Sequence, residues 1–212
     1  MLIIALSAFG CKSKPHQPLL PKVKSVLILG NSITIHPPAP GIGWNNNWGM
    51  AASVKDSDYV HLLEKRIHQV DAGVSITIKN LAGFEANYNT FNVLQLDSLR
   101  YPDLVILRIS ENVQNIENEM PAFISCVDKM LKYIHPKNIV ITDGFWTRGF
   151  VNKSLENYAV KNSYSFVRLS DLDHDENKAL GQFKNHSVAI HPSDAGMRKI
   201  AARIWTAIKI YF

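Results

Sequence analysis

The sequence predicts an α/β protein built as a three-layer α/β/α sandwich, on three observations. Five short runs rich in Val and Ile recur along the 212 residues. Longer stretches with helical apolar spacing separate them. Several of the runs are apolar without interruption, as expected for strands covered on both faces. Alternating βα units of this kind imply a parallel sheet with right-handed crossovers. Hydrophobic residues make up 46% and charged residues 19%, enough to support a packed core and to exclude wholesale disorder.

The first segment stands apart. Residues 1–10 read MLIIALSAFG, an apolar run ending in small residues and far too short to span a bilayer. With Cys11 it resembles the signal and cleavage site of a bacterial lipoprotein, in which Cys11 would carry the lipid. Residues 12–24 hold three prolines and four lysines, the composition of a tether. The expected organisation is therefore a signal-like segment over 1–11, a tether over 12–24 and one domain over 25–212. The protein would be exported to the periplasm or outer cell surface, meeting a membrane only through Cys11.

Within the domain the expected strands are 25–29, 74–78, 104–109, 138–142 and 166–169. The helix over 58–70 places Val60, Leu63, Ile67 and Val70 on one stripe. The helix over 119–134 does the same with Phe123, Cys126, Val127, Met130, Leu131 and Ile134, which makes Cys126 a small core hydrophobe. Weaker patterns predict helices over 89–99 and 152–161. A last helix over 193–210 opens on Ser193-Asp194 after Pro192, an N-cap signature.

In such a sheet the chemistry lies beyond the carboxyl ends of the strands, and four blocks fall there. Gly30-Asn31-Ser32 follows the first strand, where a glycine lets the chain turn sharply and expose a hydroxyl. Asn80-Leu81-Ala82-Gly83 follows the second. Ser110-Glu111-Asn112 follows the third, and its Asn112 amide is suited to an oxyanion or to an Asx-turn. His191-Pro192-Ser193-Asp194 opens the last helix and holds His191 in a fixed place.

Taken in this order, the blocks resemble the GDSL/SGNH hydrolase family, with Ser32, Gly83, Asn112 and His191 as its four signature residues. The resemblance runs from Val26 to about Ile210 and implies a flavodoxin-like sandwich of about five parallel strands. It implies that Ser32 attacks an ester and His191 takes its proton. The Ser32 and Gly83 N–H groups and the Asn112 side chain would hold the oxyanion, each donor being worth about 3 kcal/mol of barrier. Two blocks depart from the family's pattern. Asn31 stands where an Asp is usual, and the third block keeps only its Asn. The catalytic acid usually three residues before the histidine is replaced by Val188. A main-chain carbonyl near Val188, Asp194, or a carboxylate of Asp171 or Asp173 is left to orient His191. A Ser-His dyad oriented by the main chain is the first choice, because Asp194 suits a helix cap.

The neighbourhood of these blocks suggests a sugar. The loop after Ser32 carries His36, Trp44, three consecutive asparagines and Trp48; Trp faces stack on sugar rings and amides bond hydroxyls. For Trp44 substrate contact and burial weigh equally, and for Trp48 burial is favoured. Past the fourth strand, Trp146 and Arg148 reach the same rim. Arg148 is suited to reading a carboxylate, as in a uronic or sialic acid, or to pairing with Glu111. His36 is suited to protonating a leaving group or to a structural hydrogen bond. The net charge of +5 is scattered, with no basic run, which argues against nucleic acid. No Gly-rich phosphate loop is present, the His and acidic residues lack metal-ligand spacing, and no cofactor is expected. The expected substrate is an acylated, most simply acetylated, carbohydrate or another small ester. A lipase or thioesterase, and a glycan-binding lipoprotein with a degenerate site, are the competing readings.

Overall fold

A computed structural model describes residues 22–212. The signal-like segment, Cys11 and the tether as far as residue 21 lie outside the described residues. Val23 already packs on the domain, its N–H donating to the Tyr211 carbonyl at 3.1 Å, and the Lys24 N–H donates to Asp103.

Five strands form one parallel sheet in the order β2-β1-β3-β4-β5. They are β1 (Ser25–Gly30), β2 (Ser75–Asn80), β3 (Leu104–Arg108), β4 (Asn138–Thr142) and β5 (Ser165–Val167). The flavodoxin-like sandwich expected of the sequence is the fold observed. Its uninterrupted apolar strands follow from burial of both faces. Val26, Ile28, Leu104, Ile106 and Val140 point to one core, beneath α1 (Tyr59–Val70) and α6 (Asp194–Ile208). Leu27, Leu29, Val105, Leu107 and Ile141 point to the other, beneath α3 (Met120–Ile134) and α4 (Gly149–Lys161). Two short helices, α2 (Ala82–Ala86) and α5 (His186–Ala189), were not expected; five and four residues are too few to show an amphipathic period. The helix expected over 89–99 is instead two 3-10 segments, Tyr88–Thr90 and Val93–Leu99. Asn92 separates them, its side chain accepting the Leu94 N–H at 3.0 Å, as an Asx-turn does. Cys126 lies at the half-buried margin of the second core rather than inside it.

Caps place the helices. Asp58, fully buried, accepts the His61 N–H at 2.8 Å to start α1, and Ser193 caps α6 through the Gly196 N–H at 3.4 Å, as expected. The strand order reverses at β1, which lies between β2 and β3. The crevice at the carboxyl ends of β1 and β3 is therefore the topological switch point.

Candidate active site

The chain leaves β1 at Gly30 and turns through Asn31 and Ser32. A side chain at position 30 would run into Thr34, so the turn requires glycine there. Ser32 is half-buried and its Oγ lies 2.9 Å from His191 Nε2. The Ser32 carbonyl accepts the Met50 N–H at 2.9 Å, which ties the following loop to the turn. Among the described residues, the N–H groups of Ser32 and Gly83 make no hydrogen bond. Gly83 sits in the first turn of α2, beyond the end of β2, and is exposed. Asn112 uses one Nδ2 proton on Glu85 Oε2 at 2.7 Å.

His191 is 7% exposed and lies beneath Trp146, whose ring meets it edge-on at 5.2 Å. Burial pulls the imidazole down to about 4; the Ser187 main-chain carbonyl and Glu111 act against that fall. The ring is therefore neutral at pH 7 and can receive a proton at Nε2. For that, Nδ1 must carry the other proton. Nδ1 is buried and makes no well-formed hydrogen bond among the described residues, so the Ser187 carbonyl acts on it only as a weak acceptor. No carboxylate takes the missing place. Asp194 is not a third member: both its oxygens are held by Ser53, from N–H at 2.8 Å and from Oγ at 2.6 Å. Asp171 pairs with Arg203, and Asp173 with Lys178 and the Thr147 N–H. Val188 itself is buried against Trp44, Met50 and Ala179.

Behind Ser32 lies a buried polar network that sequence reasoning missed. Asn31, fully buried, donates from Nδ2 to Glu85 Oε1 at 3.0 Å and to Glu111 Oε2 at 2.6 Å. Its Oδ1 accepts from Arg108 Nη1 at 3.1 Å. Arg108, fully buried, also donates to Glu111. Glu85 further accepts the Ser110 N–H at 2.5 Å, and Glu111 the Phe145 N–H at 2.7 Å. Desolvation and the neighbouring Glu111 push Glu85 up to about 7, while the Asn112, Asn31 and Ser110 donors pull the other way. The only sequence signal for this network was an arginine in an otherwise apolar strand.

Several expected contacts are reassigned. Trp44 is wholly buried, with Nε1 on the His36 carbonyl at 3.3 Å, and is not available to a substrate. Trp48, expected to be buried, is partly so, with Nε1 on the Ala52 carbonyl. Glu111 is engaged by Arg108, Asn31 and the Phe145 N–H and does not pair with Arg148. His36 makes the structural bond, with Nδ1 on the Pro37 carbonyl at 2.6 Å. Trp146 lies where expected, with Nε1 on the Ile190 carbonyl at 3.2 Å, and so braces the base. Arg148 donates to the Val113 carbonyl. Among the described residues no His, Cys, Asp and Glu cluster has the arrangement of a metal site, and no helix is long and apolar enough to cross a membrane.

No family model matches the chain, and no curated protein matches its sequence. Solved structures do resemble it. A variant of Axe2, an acetyl xylan esterase from Geobacillus stearothermophilus, superposes with a TM-score of 0.57 at 16% identity, over 90% of this chain and 97% of that one. CEX, a two-domain esterase active on acetylated mannans and co-crystallised with mannopentaose, gives 0.56 at 18% identity, over 88% of this chain and 49% of that one. LAE5, an alpha/beta hydrolase enzyme from the metagenome of Lake Arreo, Spain, gives 0.56 at 16% identity, over 92% and 99%. At these identities the likeness establishes the fold.

Proposed function

We propose that this chain is a serine esterase of the SGNH type that removes acetyl groups from a carbohydrate. The observation that carries the reading is the 2.9 Å contact between Ser32 Oγ and His191 Nε2, set at the switch point beside two unengaged backbone N–H groups. Its weight is increased by the neutral state of His191 at pH 7. The resemblance of the fold to esterases of acetylated xylan and mannan supports the substrate class.

In this mechanism Ser32 Oγ attacks the acetyl carbonyl carbon while its proton passes to His191 Nε2. The carbonyl π electrons move to the oxygen, which the Ser32 and Gly83 N–H groups and the second Asn112 Nδ2 proton receive. Collapse breaks the bond to the sugar oxygen, which leaves with the proton from His191. Water then attacks the acetyl-Ser32 ester, giving one proton to His191, and acetic acid departs as that proton returns to Ser32 Oγ; the acid then ionises in solvent. Glu85 holds Asn112 from behind. The weak partner of Nδ1 makes this a dyad, slower than a triad but using the same steps.

Hydrolysis of p-nitrophenyl acetate by the wild type and by Ser32→Ala tests the reading. A fall of at least about 10³-fold is expected for Ser32→Ala, in line with loss of a serine nucleophile. Equal rates for the two proteins would refute it. A preference for octanoate over acetate would move the substrate to longer acyl chains.

A further inference from the structure

Next to Trp146, a cleft of about 450 Å³ opens beside the residues that precede Asn112 and His191. Arg148, Lys178, Asp173 and the Trp146 ring line it. Its lining holds two acids, Glu111 and Asp173, and two bases, Arg148 and Lys178. Asp173 is matched by Lys178 at 2.9 Å, and Lys178 also meets Asp175 at 3.3 Å. Glu111, the other acid of the lining, is spent on Arg108. Arg148, like Arg66 and Arg198, has no carboxylate within 4.0 Å among the described residues, and of these three it alone lines the cleft. One Nη2 proton goes to the Val113 carbonyl, and Nε is buried with no acceptor. A partly buried guanidinium with spare donors and no counter-charge is suited to an anion brought by a ligand.

We propose that this cleft is a subsite for an acidic sugar, in which Arg148 pairs with the carboxylate of a uronic acid and the Trp146 ring supports the sugar face. That the acetyl group of the same glycan reaches Ser32 rests on the esterase reading above; the binding itself does not. A carboxylate matches the planar fork of the guanidinium with two parallel N–H···O bonds. A sulfate ester on a sugar offers the same anionic chemistry, and the test separates the two.

The full chain is titrated with glucuronate, glucose and glucose 6-sulfate, with tryptophan fluorescence as the readout. Glucuronate is expected to bind at least tenfold more tightly than glucose. Arg148→Gln is expected to erase that preference and Arg148→Lys to keep part of it. Because Arg148 also holds the Val113 carbonyl, Thr147→Glu serves as a second variant. It leaves the Arg148 side chain unchanged, adds a negative charge to the cleft lining, and is expected to erase the preference as well. Equal binding of glucuronate and glucose, or a preference that survives both Arg148→Gln and Thr147→Glu, would overturn the subsite. Tighter binding of glucose 6-sulfate than of glucuronate would overturn the carboxylate assignment. Binding is read without turnover, so a protein that prefers glucuronate but leaves p-nitrophenyl acetate intact sinks the esterase reading and not this one.

Discussion

Asn31 shows what one atom decides. At this position an amide differs from a carboxylate in its ability to donate, and the two acceptors it meets, Glu85 and Glu111, are both carboxyl groups. An aspartate here would put a third acid into a buried site with Arg108 as its only cation. Read in one dimension, Asn31 is a near-isosteric departure from the family's Asp. In three dimensions it is the complement of two acids that lie 54 and 80 residues away. Asn31→Asp is accordingly expected to destabilise the fold by about 2–4 kcal/mol at pH 7, through lost hydrogen bonds and uncompensated buried charge. Adding Glu85→Gln should recover part of the loss, because it removes one acid from the network and returns a permanent donor. Thermal unfolding of the single and double variants checks this; an Asn31→Asp protein as stable as the wild type would contradict it. The pairing of Ser32 with His191 was legible because both belong to the four blocks that resemble the family's signature. The network behind them was not, because its partners share no local spacing.

Among the elements, the loop between Ser32 and α1 is held at both ends by ordinary backbone chemistry. Asp58 caps α1 with Oδ1 and accepts the Gly49 N–H with Oδ2 at 3.0 Å. The neighbouring Met50 N–H bonds the Ser32 carbonyl. Helix start, loop and nucleophile turn are thus linked through Asp58, Gly49, Met50 and Ser32. Asp58→Ala removes the cap, worth about 1 kcal/mol, and leaves the buried Gly49 N–H without a partner, costing about 1–3 kcal/mol more. A total of about 2–4 kcal/mol is expected in denaturant unfolding, with Asp58→Asn intermediate because it keeps the cap acceptor. A cost below about 1 kcal/mol would show that Gly49 finds another acceptor. The elements legible in the sequence were the buried strands and the helices long enough to carry a period: α1, α3, α4 and α6. The segment over 89–99 was misread because its apolar spacing is helical, whereas Asn92 breaks the hydrogen-bond ladder from within. Trp44 was left open because sequence composition does not distinguish a tryptophan that covers a sugar from one that seals a loop.

At the scale of the whole molecule, two buried groups make stability depend on pH in opposite directions. His191 is held down at about 4 against 6.5 for a free histidine. Between those values the unfolded chain binds the proton and the folded chain does not, so this residue makes stability rise with pH and fall as the medium is acidified. Glu85 is held up at about 7 against 4.5. There the folded chain keeps the proton that the unfolded chain releases, so its contribution is present below 4.5 and is lost as pH rises through 7. From pH 4.5 to 6.5 the two slopes oppose each other, and the wild-type melting temperature should change little for their sake. Removing one group exposes the other. In His191→Ala the rising contribution disappears, and stability should fall steadily from pH 4.5 to 7. The stability difference between the wild type and His191→Ala, measured by thermal unfolding across pH 4 to 6.5, should grow toward the upper end by about 3 kcal/mol. Curves that stay parallel over that range would mean that His191 titrates alike in the folded and unfolded chain. The neutral base on which the dyad depends would then not be a product of burial.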